Sequence, residues 1–143
     1  MKPRLPEPAI QEVTDLRSYR AVVIGSAVHS GKWMPEALAF VEGNQNTLRQ
    51  MPTAVFQVCM MLATSSEPYW RMVPDWLAPL RAQIQPAVEG SFAGALWPNK
   101  YSKLSEKLGL HIFLAAIHLK AGDYRDWDAI RTWAENLRPV LFR

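Results

Sequence analysis

The sequence predicts an α/β protein whose mostly parallel sheet is covered by helices on both faces. Two short apolar runs and a third strand candidate that follows a proline alternate with longer segments of helical character. Continuous apolar runs are typical of strands that are buried on both faces, as the strands of parallel sheets are. With 143 residues, the chain suits a single domain, residues 1–143, with its own core.

The three predicted strands are residues 21–25, 53–59 and 87–94. The first is an apolar run that ends at a Gly-Ser pair, and the other two each begin directly after a proline, Pro52 and Pro86. Proline lacks the amide donor that a helix or a central strand needs, so it marks the boundary of each element.

Four helical segments alternate with or follow these strands. One begins at Pro35, a position that a first helical turn tolerates, and runs to about residue 49. A second, punctuated by prolines, covers residues 68–84. The last two cover residues 102–120 and 126–141, and Asp123 or Asp126 is the expected cap of the closing helix.

Composition limits the classes of protein to which the chain can belong. Hydrophobic residues make up 49% of the chain and charged residues 20%, which excludes a disordered protein. No apolar run is long enough to span a membrane, no signal peptide is visible, and the lone Cys59 fits a reducing compartment. The net charge of +3 without a Lys/Arg cluster does not favour nucleic acid. We therefore expect a cytoplasmic protein that binds neither nucleic acid nor membranes.

The loops that follow the three strands all lie at one edge of the predicted sheet. In open parallel sheets, ligands bind at this edge, outside the carboxyl ends of the strands. Aromatic, thioether and cationic side chains there suit a planar, partly anionic ligand. In the alternative interpretation, Trp33 and Met60 simply plug the top of the core. The residues gathered at the edge are Ser26, His29, Lys32 and Trp33, then Met60, Met61 and Thr64, then Trp97, Asn99 and Tyr101.

The three histidines differ in their expected roles. His111 and His118 are seven residues apart on one helix, about 10 Å along its axis, so one metal ion cannot bind both. The helix between them is apolar nearly all round, which indicates a helix that is buried or packed in an oligomer. His29 lies at the ligand edge, where it could donate or accept a hydrogen bond or serve as an axial ligand of haem.

No catalytic constellation is visible in the sequence. There is no Ser-His-Asp set, no carboxylate pair facing the edge and no zinc-type Cys/His spacing. Cys59 at a strand end is more typical of a packed small residue than of a nucleophile. Whether the chain is an enzyme therefore stays open.

Two segments resemble flavodoxin-like domains, in the branch that includes the menaquinone-dependent protoporphyrinogen oxidases. VTDLRSYRAVVIGSAVHSGKW resembles the third-strand region, and GSFAGAL with GDYRDWDAIRTWAENL resembles the last strand and closing helices. The resemblance implies a flavodoxin-like three-layer sandwich. It also implies that two loops correspond to those that hold the isoalloxazine ring of FMN. Their residues here are Ser26, Ala27, Val28, His29, Ser30, Gly31 and Lys32, and Val58, Cys59, Met60 and Met61.

The N-terminus departs from the family pattern. Family members begin with a strand and a Ser/Thr- and Gly-rich loop that wraps the FMN phosphate, and nothing of the kind precedes Val13. We therefore expect a truncated flavodoxin-like domain in which residues 1–15 form a short arm or edge strand, unless the chain is a fragment. The family's first strand is central in its 2-1-3-4-5 order, so the strand at residues 21–25 is expected to have an open edge. The arm, a rearranged tail or a second subunit in a homodimer could cover it.

Three functions remain open at this stage. The first is binding of a planar tetrapyrrole, biliverdin or haem, in the former flavin crevice without FMN, with acidic groups near Lys32, Lys100 or Arg71 and with His29 as the metal ligand if the group is haem. The second is an FMN-dependent oxidoreductase whose phosphate site comes from missing sequence or a partner chain. The third is an assembly partner that uses the open sheet edge.

Overall fold

The computed structural model describes residues 9–64 and 67–143 and has the predicted α/β architecture. Its strands are β1 (Val22–His29), β2 (Lys32–Trp33), β3 (Thr53–Val58), β4 (Val88–Phe92), β5 (Ala95–Leu96) and β6 (Gly122–Asp123). Its α-helices are α1 (Pro35–Gly43), α2 (Gln45–Leu48), α3 (Glu67–Ile84), α4 (Leu104–Ala116) and α5 (Trp127–Leu141). Short 3₁₀ helices lie at Ile10–Glu12, Met60–Ala63 and Pro98–Lys100.

The main sheet is mostly parallel, as predicted. Its order is β2-β1-β3-β4, and β1, β3 and β4 run parallel with Ile24 opposite Val55 and Val55 opposite Glu89. The short β2 folds back on β1 as an antiparallel hairpin. A separate two-stranded sheet pairs β5 with β6.

Helices cover the sheet on both faces. On one face, α1, α2 and α3 bury the larger core cluster, which includes Ile24, Val55 and Leu80. On the other face, α5 packs on β3 and β4 through Leu137 and Leu141. The sheet is therefore the middle of three layers.

The first strand is longer than the sequence predicts. We expected Ser26–His29 to be a loop, and this is wrong, because Ser26 and Ala27 continue the ladder opposite Gln57 and Val58. Val28 and His29 then pair with β2. Ser26 interrupts the apolar run in the sequence, but its buried hydroxyl is satisfied: it accepts a hydrogen bond from the Met34 amide and donates one to the Ala27 carbonyl.

The predicted helices are present, with shifted ends. The segment from Pro35 to residue 49 is divided at Asn44 into α1 and α2. The proline-containing α3 is continuous from Glu67, and Asp126 is the cap of α5, its carboxylate accepting the amides of Asp128 and Ala129.

Helix α4 corrects a second expectation. Its apolar character indicated a helix that is buried or packed in an oligomer, and burial within the chain is wrong. Only Leu114 is buried, whereas Leu104 is 81% exposed and Leu108 and Ile112 are more than half exposed. The apolar face of α4 therefore points away from the core.

The segment before β1 is not a strand where the structure describes it. Ile10–Glu12 form a 3₁₀ helix against α1, and Leu16 is buried in the larger core cluster. The expectation of an arm or edge strand over residues 1–15 lies partly outside the described residues, which begin at residue 9.

Candidate functional site

An open cleft of about 490 Å³ lies at the carboxyl ends of β3 and β4, the edge at which the sequence places a ligand. Its apolar floor is formed by the end of β3 and by β5, which follows β4. Two aromatic side chains and two cations complete the lining. The lining residues are Val58, Ala95 and Leu96 on the floor, Trp97 and Tyr101 as aromatic groups, and Lys100 and Arg125 as cations.

A glycine and a short strand pair bring these residues together. A Cβ on Gly94 would lie 2.9 Å from Cγ1 of Val58, so only glycine lets the chain leave β4 so close to the end of β3. The chain then pairs as β5 with β6, and the Tyr124 amide donates to the Gly94 carbonyl at 3.1 Å. This pairing carries the segment before α5 to the cleft.

Arg125 is held in a fixed orientation beside the cleft. Its Nε and Nη2 donate to the two carboxylate oxygens of Asp123 at 2.8 and 2.6 Å, and its guanidinium lies 4.9 Å from the ring centre of Trp127. The hydrogen bonds from Arg125 lower the pKa of Asp123 to about 2. Sequence reasoning treated these residues as a helix start and missed their place at the cleft, because the β5–β6 pairing that positions them involves only two residues a strand.

Lys100 is the second cation of the cleft. It ends the 3₁₀ helix Pro98–Lys100, and within residues 9–64 and 67–143 it makes no ion pair. Its charge is therefore available to an anion. Trp97 and Tyr101, which flank this short helix, are both exposed, and the predicted Asn99 lies between them in the sequence.

Trp33 lies in the core and not on an open edge. It is only 3% exposed, and its Nε1 donates to the buried Gln57 amide oxygen at 3.0 Å. Gln57 in turn donates to Ser91 Oγ. This geometry agrees with the alternative interpretation of Trp33 as a plug of the core.

The hairpin between β1 and β2 turns away from the cleft toward α3. Ser30 and Gly31 have positive φ angles of 51° and 74°, and the Gly31 backbone lies against Trp76. His29, Ser30, Gly31 and Lys32 are exposed, and Val28 is half-buried. None of them lines the cleft, so the structure does not bring the two predicted halves of the site into one cavity.

The loop after β3 is mostly packed. Cys59 is buried beside Leu62 and Trp76, and this burial raises the pKa of its thiol, which favours a packing role over a nucleophilic one. Met60 and Met61 begin a 3₁₀ helix and are half-buried, and Met60 Sδ lies 3.9 Å from the position a Gly94 Cβ would take. Met60 is thus the predicted residue of this loop that lies next to the cleft floor.

Two tests bear on cofactors that the fold could carry. Within the described residues, no group of three or more His, Cys, Asp or Glu side chains could hold a metal ion. The helices α1 and α3 each carry a glutamate in the first turn, Glu36 and Glu67. A carboxylate there disfavours a phosphate at the helix N-terminus. The first turns of α1 and α3 therefore disfavour a phosphate, whereas the cleft offers the cations Lys100 and Arg125.

Comparison with protein families agrees with this fold. The model of the flavodoxin domain family matches residues 6–108, well over half of the chain. The chain belongs to the flavodoxin domain family. The matched region contains the cleft residues from Val58 to Tyr101, whereas Arg125 lies outside it.

Family membership indicates a ligand-binding or flavin-related role. No curated protein and no solved structure matches the chain. Among the helices that the structure describes, none is both long enough and apolar enough to cross a membrane.

Proposed function

We propose that this protein binds a planar, anionic small molecule in the cleft at the carboxyl ends of β3 and β4. The observation that carries the proposal is the composition of the cleft: exposed Trp97 and Tyr101 beside Lys100 and Arg125, above an apolar floor. Aromatic side chains stack on flat apolar faces, while cations bind carboxylates with charge-assisted hydrogen bonds. Arg125 is prepositioned by Asp123, which reduces the entropy lost on binding.

A tetrapyrrole, biliverdin or haem, is the ligand class that we propose. It combines a wide flat face with propionate groups, and the cleft lining combines aromatic groups with cations. The sequence resemblance to protoporphyrinogen oxidases, which act on a tetrapyrrole, supports the same choice. From the sequence we expected His29 as the axial ligand if the group is haem, but His29 lies on the hairpin and does not line this cleft, so it is not part of the site proposed here.

Titration of the protein with biliverdin and haem, followed by absorbance, tests the proposal. We expect Trp97→Ala to weaken binding by about 1–3 kcal/mol, roughly 5- to 150-fold. Trp70→Ala is the matched control, because Trp70 is an indole of similar exposure (45% against 42%) on α3, outside the cleft lining. Equal effects of the two substitutions would contradict a site in the cleft.

Two lysine variants distinguish a binding site in the cleft from a binding site on the β1–β2 hairpin. Lys100→Ala should weaken binding most at low ionic strength, because salt screens the attraction between the ammonium and the ligand carboxylates. Lys32→Ala should have less effect, because Lys32 lies on the hairpin and does not line the cleft. A larger effect of Lys32→Ala would move the site to the hairpin.

An FMN-dependent oxidoreductase is the second candidate, and family membership favours it. It needs a phosphate site, and the first turns of α1 and α3 each carry a glutamate, which disfavours a phosphate at those two helix N-termini. We expect the isolated protein to bind little or no FMN, and an FMN titration followed by flavin fluorescence measures this. Micromolar or tighter binding would favour the oxidoreductase.

The sequence predicts a homodimer that covers the open sheet edge and the apolar helix; it remains a proposal, and we place its interface at α4. Leu104, Leu108 and Ile112 are spaced by four residues and form one exposed apolar stripe. A straight stripe of this kind is self-complementary in a two-fold pair of antiparallel helices, so a second copy is its simplest partner. Without a partner, the apolar surface of these three side chains stays in contact with water, which costs free energy that burial in a dimer would recover.

A further inference from the structure

We infer that the free edge of β1 binds an extended peptide segment of another protein as an additional strand. The site lies on the opposite side of β1 from β3, away from the cleft, and does not depend on the ligand proposed above. It rests on the hydrogen-bonding groups of the β1 backbone and on the cavity beside them.

The direction of the backbone groups follows from one hydrogen bond. The Val22 amide donates to the Pro52 carbonyl at 3.0 Å, toward the β3 side of the strand. Because backbone groups alternate in direction along a strand, those of Val23, Gly25 and Ala27 point the other way. β2 pairs only with Val28 and His29, so no strand of the described chain covers these three positions.

Most of these outward groups are available for pairing. Ser26 Oγ donates to the Ala27 carbonyl at 2.8 Å, which satisfies that acceptor. In residues 9–64 and 67–143, no side chain bonds to the amides or carbonyls of Val23 and Gly25, nor to the Ala27 amide, and all three residues are exposed. An added strand would pair with these five groups, as in β-augmentation.

A cavity of about 250 Å³ beside this edge sets the side chains that the segment should carry. It lies between the edge and the start of α1, with Ile10, Met34 and Ala37 as apolar walls and Glu36 in the lining. Every second side chain of an added strand would face this cavity. We therefore expect a segment with apolar residues at alternate positions and a Lys or Arg that can reach Glu36.

Two other occupants of this edge, a second copy of this chain and its own residues 1–8, fit it less well. A two-fold axis at Gly25 would pair the β1 edges of two copies and place residues 28–29 of one copy opposite residues 21–22 of the other. Strand β2 of each copy already occupies the edge at residues 28–29, so it would collide with residues 21–22 of the other copy. In a paired strand, the amides of every second residue face the neighbouring strand. Residues 1–8 have a proline at an odd position, Pro3, and at even positions, Pro6 and Pro8, so either register lacks at least one amide donor. A segment of a different polypeptide has neither restriction.

A selection with peptides tests the inference on the whole chain. A phage-displayed library of 12-residue peptides is selected against the protein, and a synthetic peptide of the recovered consensus is titrated by isothermal calorimetry. We expect a consensus with alternating apolar residues. Val23→Pro removes an outward amide and should weaken binding at least about tenfold, whereas Val23→Thr keeps the amide and a β-branched side chain and should change it less than about twofold.

Amide hydrogen exchange of the unchanged protein gives a second measurement that does not depend on how Val23→Pro folds. The bound peptide should slow exchange of the Val23, Gly25 and Ala27 amides at least about tenfold. Failure to recover an alternating consensus, equal binding to the two variants, or protection elsewhere would overturn the inference. Self-association that protects the same amides without peptide would overturn it too, by identifying a second copy as the occupant.

Discussion

At the scale of single residues, Trp33 shows how a side chain suited to a ligand can instead belong to the core. Its indole is buried and donates to Gln57, whose own amide donates to Ser91. Trp33→Phe keeps most of the apolar volume but leaves the Gln57 oxygen without its donor. We expect the free energy of unfolding to fall by about 1–3 kcal/mol, measured by urea denaturation, because a buried acceptor is left unpaired.

The same variant should bind the ligand like the parent. Trp33 does not line the cleft, so its effect should be confined to stability. A Trp33→Phe protein of unchanged stability that loses ligand binding would show that the indole contacts the ligand after all.

The Asp123–Arg125 pair gives a prediction for the dependence of stability on pH. The hydrogen bonds from Arg125 lower the pKa of the Asp123 carboxyl from 3.8 to about 2. Because the folded-state pKa is lowered, the pair contributes stability above pH 3.8, and this contribution is lost as the pH falls through about 2. The difference in melting temperature between the parent and Asp123→Asn should be constant above pH 3.8 and should shrink as the pH falls from 3.8 to about 2.

Asp75→Asn on α3 is the control for this comparison, since it removes an exposed carboxylate outside the cleft lining. Thermal unfolding at a series of pH values measures both differences. A difference between the parent and Asp123→Asn that grows as the pH falls toward 2 would contradict the ion pair.

At the scale of the elements, α4 carries the prediction about assembly. Leu108 lies in the middle of the exposed apolar stripe, so Leu108→Lys should place two buried ammonium groups in a two-fold helix pair and abolish it. Met72→Lys makes a matched change at an exposed apolar residue of α3 and should leave the dimer intact. Multi-angle light scattering over a range of concentrations measures both, and a parent protein that stays monomeric at every concentration would contradict the interface.

The long elements could be predicted from the sequence, and the short ones could not. β3 carries an apolar run and α3 an apolar stripe of sufficient length, and the prolines before β3 and β4 mark where those strands begin. Strands β2, β5 and β6 have two residues each, too few to show an alternation. The pairing of β5 with β6 joins segments far apart in the sequence, which no local pattern shows. The pairing of β2 with β1 follows from a two-residue turn, Ser30-Gly31, with both residues at positive φ.

At the scale of the whole molecule, the sequence predicted that the site lies at the carboxyl edge of the sheet, but not which of the loops at that edge line the cleft. Trp97, Tyr101 and Val58 meet in the cleft, as the topology of a parallel sheet requires. The hairpin residues from His29 to Lys32 lie outside the cleft, because β1 continues past Gly25 to His29 and the turn that follows packs against Trp76 of α3. Arg125 enters from a segment 24 residues after Tyr101, through the β5–β6 pairing.

The measurement that tests the central claim most directly is the spectrum of the tryptophan indole N–H groups during titration with biliverdin. The chain has six tryptophans, so an ¹⁵N–¹H correlation spectrum shows six indole signals in different parts of the fold. A planar ligand in the cleft should shift the signal of Trp97 strongly, while the signals of Trp33 and Trp133 stay in place because their N–H groups are bonded to Gln57 and to the Glu89 carbonyl. Shifts at Trp33 or Trp76 with an unchanged Trp97 signal would contradict a binding site in the cleft.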